Sequence, residues 1–214
     1  MNISRKQSGF TLIEIAIVLV IIGLLLGGVL KGQELINSAK VKNFAQDFKQ
    51  VPLFIYGYQD KFKRLPGDDN GAVARFPTAT TGNGDGNGAI AGVYNSTTIT
   101  DESIHFWQHV RLANLAAGST LWTDITTAAL PTNADGGRIG IQMTTPITGM
   151  TGSYFVCSDG IQGKFAKQLD VTMDDGVTDS GSMRTVATVA PWTTPGTGVA
   201  APVDGTTYTV CVSF

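Results

Sequence analysis

Two groups of oxygen-bearing side chains have the types and spacing to hold a hard cation. In Gly82-Asn83-Gly84-Asp85-Gly86-Asn87-Gly88 the side-chain oxygens recur at every second residue within a glycine frame. Calcium takes six to eight oxygens at about 2.3–2.6 Å, and the first half of an EF-hand loop uses this alternation before a turning glycine. The twelfth position of such a loop is Tyr94 here, not Glu. Asn83, Asp85, Asn87 and the carbonyl of Ala89 therefore cannot close a calcium site alone; Asp68, Asp69 or Glu102 has to complete it. Two readings stand: calcium, or a Gly/Asn loop with no ion. The second group is Asp170, Asp174, Asp175 and Asp179, at the end of an expected helix, where the helix dipole disfavours negative charge. A cation or plain solvation in a turn would each account for it.

Glu14 poses a different problem. It lies four residues inside an apolar run from Phe10 to Leu30. A carboxylate within a membrane helix costs roughly 2.5–3.5 kcal/mol on insertion scales. It needs a cationic partner or a place near the headgroups. Cys157 and Cys211 give no metal-ligand spacing; in an exported, oxidising setting a disulfide is the default. His105 and His109 share a helix face, but the His-Glu-x-x-His pattern is absent, and packing with Phe106, Trp107 and Val110 explains them better. No nucleophile with a base, phosphate loop or apolar pair of acid/base carboxylates is found, so the expectation is a protein that is not an enzyme.

The elements that position these residues follow from periodicity. Phe10–Leu30 is 21 residues, about 32 Å as a helix at roughly 1.5 Å per residue, enough to cross a hydrocarbon core of about 30 Å. Arg5 and Lys6 precede it, on the side expected to stay in the cytoplasm. Gly23, Gly27, Gly28 and Gly32 give two Gly-x-x-x-Gly spacings, which suit close helix packing. Beyond Leu30 the pattern becomes one-sided: Val41, Phe44, Ala45, Phe48, Val51, Ile55 and Tyr58 recur at steps of three and four. Anchor and amphipathic half read as one spine helix over residues 10–61, with Pro52 expected to kink or break it.

Charge divides the chain in the same place. Residues 1–64 hold nine Lys/Arg against four Asp/Glu, and residues 65–214 hold six against thirteen. An acidic second part argues against nucleic acid as a partner.

The stretch Lys6-Gln7-Ser8-Gly9-Phe10-Thr11-Leu12-Ile13-Glu14 resembles the signal of type IV pilins and type II secretion pseudopilins. The resemblance implies a leader over residues 1–9, cleavage between Gly9 and Phe10 by a prepilin peptidase, and N-methylation of Phe10. It also implies that Glu14 serves assembly, its partner being the amine of a neighbouring Phe10. Such a subunit waits in the inner membrane, single-pass, with its head outside the cytoplasm. It then joins other subunits in a periplasmic or cell-surface filament.

Residues 62–214 are expected to form the head. A helix is read from Ile104 to Ala117, with Thr100 as N-cap and Gly118 as its stop. A second, marked by Ile161, Phe165, Leu169 and Met173, ends at Asp174-Asp175-Gly176. Strands are read at 138–143, 153–156, 183–189 and 206–212, with Cys211 tying the last to Cys157. The expected class is α+β: a long spine helix, then a head built on a small antiparallel sheet and short helices. The expected function is a filament subunit. A pseudopilin is the nearest alternative, and an anchored calcium-dependent binding module, with Trp107, Trp122 or Trp192 exposed around a pocket, is the alternative of another class.

Overall fold

A computed structural model describes Gly9 and residues 11–77, 82–126, 128–188 and 195–214. It divides into two compact units, Met1–Ala39 and Lys40–Phe214. The class is α+β: a long N-terminal helix, then a head with a four-stranded antiparallel sheet and short helices. Phe10 and Trp192 lie outside the described residues.

Helix α1 runs Leu12–Phe62 and contains Pro52 without a break in the element. In the first unit its apolar side chains, among them Leu24, Leu25 and Leu30, are exposed all round. The helix is long and apolar enough to cross a membrane, and after Glu14 its next charged residue is Lys31, paired with Glu34 at 2.7 Å. In the second unit the one-sided pattern becomes a buried stripe of Val41, Phe44, Ala45, Phe48, Val51, Pro52, Ile55 and Tyr58. The stripe meets the head's core, with Phe44 against Phe165 (6.0 Å) and Phe54 edge-on to Trp107 (6.4 Å).

Helix α2 is the single turn Ala72–Arg75, and α3 runs Glu102–Leu112. The start of α3 is Asp101 rather than Thr100, and its side chain does not cap because it accepts from Ser96 Oγ at 2.5 Å. Its end comes before Gly118: Asn114 takes φ 59°, and the N–H of Leu115 turns back to the carbonyl of Val110 at 2.9 Å. Asn tolerates the left-handed region well enough to stop a helix there. Arg111 lies over the Trp122 ring at 5.5 Å and donates to the carbonyls of Ala128 (2.9 Å) and Ala129 (2.8 Å).

Strands β1 (Ile139–Gln142), β2 (Phe155–Gln162), β3 (Met183–Ala187) and β4 (Thr207–Ser213) pair in the order β1-β2-β4-β3, all antiparallel. Helix α4 (Gly163–Met173) follows β2 directly. Ile161, expected in this helix, belongs to β2 and pairs with Tyr208. Its four-residue spacing from Phe165 is a coincidence of two elements burying residues on one core. Cys157 and Cys211 stand opposite each other in the central pair and are joined by a disulfide. Closing a loop of 54 residues stabilises the fold by about 4 kcal/mol in the chain-entropy account.

The end of α1 is held by a buried polar cluster. Asp69 accepts from Tyr58 Oη (2.6 Å), from the N–H of Gly71 (2.9 Å) and from Arg75. Burial works against its charge, but these donors hold its carboxyl below its usual range. Arg75 also sits over the Phe62 ring at 4.7 Å. His109 stacks near Tyr58 (6.1 Å), and its Nδ1 accepts from the N–H of Gly67 at 2.9 Å. The ring therefore carries its proton on Nε2, facing the carbonyl of Gly82 at 3.4 Å.

Burial lowers the His109 pKa from 6.5 to about 4. Because the folded value is depressed, the unfolded chain binds more protons in this range. The contribution is complete above pH 6.5 and is lost as pH falls through 4, about 3 kcal/mol in all. Asp47 and Asp170, raised to about 6 mainly by burial, act with the opposite sign between pH 6 and 3.8. The difference between wild type and His109→Gln isolates the histidine. In urea melts of the full chain in detergent, that difference should shrink steadily from pH 7 to pH 4. A pH-independent difference would refute the buried neutral imidazole.

Candidate functional site

At the front of α1 three hydrogen bonds join two residues. Glu14 Oε2 accepts from the N–H and from Oγ1 of Thr11, each at 2.7 Å. Thr11 Oγ1 in turn accepts from the N–H of Glu14 at 3.3 Å. Since α1 begins at Leu12, Thr11 is its N-cap and Glu14 its third residue, and the pair forms a capping box. Two N–H groups that the helix leaves unpaired are thereby satisfied, and the carboxylate sits at the positive end of the helix dipole. The Thr-x-x-Glu spacing carries this signal in the sequence, beside the charge of Glu14. Glu14 Oε1 takes no donor among the described residues. Gly9 is exposed just ahead of the box.

The glycine loop brings some of the expected cation ligands together and turns others away. Asp68, Asp85 and Glu102 each place an oxygen within 4.8 Å of the others'. Asp69 is engaged with Tyr58 and Arg75 instead. Asn83 accepts from the N–H of Val73 (2.8 Å), and Asn87 from that of Ala89 (2.8 Å).

What faces the carboxylates is a row of N–H groups. Asp68 accepts from Gly86 (2.7 Å), Asn87 (3.0 Å) and Gly88 (2.8 Å). Glu102 accepts from Asp85 (2.8 Å) and Ala91 (2.8 Å). Asp85 accepts from the N–H and Nδ2 of Asn87. Successive inward N–H groups make a concavity that suits anions, and the buried Asp68 carboxylate fills it. A cation at the meeting point must share all six carboxylate oxygens with these donors. Glycine is needed here for close approach: a Cβ on Gly84 would overlap the backbone of Gly67 and Asp68.

Two of the three tryptophans considered for an adhesive pocket are placed inside, and Trp192 lies outside the described residues. Trp107 and Trp122 are 4 % and 1 % exposed and belong to the core.

Residues 4–30 match a family model, the prokaryotic N-terminal methylation motif, which is the signature of prepilin-type signals in type IV pilins and pseudopilins. That family is structural rather than enzymatic. No curated protein and no solved structure matches the chain.

The loop geometry separates its exposed acid, Asp85, from the buried Asp68. Asp68→Ala strands three backbone donors and should lower stability by about 2–3 kcal/mol. Asp85→Ala frees only donors of Asn87 and should cost less than about 1 kcal/mol. Urea denaturation of the full chain in detergent measures both; equal losses would show that Asp68 does not organise the loop.

Proposed function

We propose that the chain is a structural subunit of a type IV pilus-like filament, made as a precursor and cut between Gly9 and Phe10. The methylation motif over residues 4–30 carries this reading. The apolar surface of the first half of α1 supports it. That surface is too long and too evenly exposed to serve the head, and it suits lipid first and neighbouring helices afterwards. Arg5 and Lys6 favour a cytoplasmic leader, and the disulfide favours a head in an oxidising compartment.

Within this reading Glu14 works through both of its oxygens. Oε2 is held by Thr11 and fixes the carboxylate at the start of the helix. Oε1 is left to accept from the N-terminal amine of a neighbouring subunit, one charge-assisted contact per chain in a medium that strengthens it. The reading requires no ion at the glycine loop, which the carboxylates of Asp68 and Glu102 already hold. The motif serves secretion pseudopilins as well as pilins. Electron microscopy of sheared surface material distinguishes them, because long extracellular fibres containing this chain belong to the first and not the second.

Gly9→Val should leave uncut precursor in the membrane, nine residues longer than the mature chain. Mass spectrometry of the amino terminus checks this, and a normal N-methylated Phe10 in the variant would rule out the cut. Glu14→Ala should still insert and be processed, yet yield about tenfold less filament, the equivalent of one lost charge-assisted contact. Wild-type yield would remove Glu14 from the assembly step.

A further inference from the structure

The end of α4 holds a second acidic group whose bonding differs from that of the glycine loop. Asp170 lies in the last turn of the helix, Asp174 is its C-cap, and Asp175 begins the connection to β3. Oxygens of the three lie within 4.8 Å of one another. Two oxygens on opposite sides of one calcium ion, each at about 2.4 Å, would be separated by that distance.

Asp170 is the unusual member. It is wholly buried, and among the described residues neither carboxylate oxygen accepts a hydrogen bond of good geometry. The N–H groups of Gly176 and Val177 face it and favour its charge, but neither closes a hydrogen bond of good geometry. A carboxylate taken from water with so little in return is among the costlier features a fold can carry. The neighbouring bases do not supply the missing charge. Lys167 pairs with Asp204, Lys164 lies over the Phe165 ring, and Arg184 donates to the carbonyls of Thr148 and Gly181. None of the three aspartates takes part in an ion pair among the described residues.

The other two members are held in place from outside. Asp174 accepts from the N–H of Met183 through Oδ2 (2.7 Å), which fixes it to the first residue of β3. Asp175 accepts from the N–H of Val177 (2.8 Å) and from Ser180 Oγ (3.0 Å). Asp179 is not part of the group. The carbonyl end of α4 adds negative potential to the same place. Three carboxylates thus converge at a helix end, and the buried one accepts no well-formed hydrogen bond among the described residues.

We propose that Asp170, Asp174 and Asp175 form a calcium site that joins the end of α4 to the start of β3. The all-oxygen, carboxylate-rich set suits a hard cation, and its irregular geometry favours calcium over magnesium, which demands a near-ideal octahedron. Helix-end carbonyls and water complete the coordination. The bound ion balances the buried charge of Asp170 and ties the connection between α4 and β3 to both elements.

The test uses the full chain in detergent, stripped with chelator, and calcium chloride as the probe. Calorimetry should show one calcium per chain, with a Kd of about 1 mM or tighter, in the range of extracellular sites. Asp170→Asn and the exposed Asp175→Ala should each weaken binding about tenfold or more, while Asp85→Asn in the glycine loop should leave it unchanged. Thermal melts add a reading that a merely structural aspartate would not give. In chelator Asp170→Asn should melt no lower than wild type, because it removes an unpaired buried charge; in calcium it should melt lower. The proposal is overturned by absence of calcium binding at 100-fold the expected Kd, roughly 0.1 M. It is equally overturned if binding survives Asp170→Asn and Asp175→Ala but is lost in Asp85→Asn, which would place the ion in the glycine loop.

Discussion

The head depends on one buried carboxylate, that of Asp69. It draws together a side chain from the end of α1, a side chain from α2 and the intervening backbone, through Tyr58, Arg75 and the N–H of Gly71. A charge buried without such donors would be expelled or neutralised, so the three are conditions of its presence and not ornaments upon it. Fixing Asp69 also fixes its neighbour. The two acids stand together at the turn that follows α1, and Asp68 faces the glycine loop while Asp69 faces the helix. One carboxylate closes the spine against the head, and the other gathers the backbone of residues 86–88. The loop keeps its shape because its own N–H groups have somewhere to go.

Much of this architecture is legible in the sequence because hydrophobic spacing is a direct record of burial. The stripe from Val41 to Tyr58 follows from side-chain type and interval, and the Cys157–Cys211 link from the oxidising setting of an exported head. Spacing misleads where two elements share a rhythm. Ile161 and Phe165 lie four apart and contribute to one core, yet a strand ends and a helix begins between them. The sequence places the end of α3 too late because the strongest breaker, Gly118, is not the residue that turns the chain; Asn114 does so first.

The candidate sites were legible in composition and not in direction. Sequence identifies Asp68, Asp69, Asp85 and Glu102 as acids near a glycine frame, but it cannot say which way an oxygen points. Direction comes from long-range partners such as Tyr58, 11 residues from Asp69, and Ala91, 11 residues from Glu102. Asp170 shows the same limit from the other side. Its position at a helix end is visible in the sequence, whereas its complete burial is set by the packing of α4 on the sheet. Local chemistry such as the Thr11–Glu14 box needs only four residues and is written openly in them.

The disulfide has a mechanical meaning. It joins β2 to β4 directly across the middle of the sheet, so it shunts any tension passing between those strands. If the head is pulled apart, the 54-residue stretch between the two sulfurs cannot be paid out. At roughly 3.3–3.6 Å per residue, about 180–190 Å of contour length stays locked within the knot. Extension is limited to the segments outside it, and the central strand pair remains stitched as a template from which the sheet can close again once the load is released.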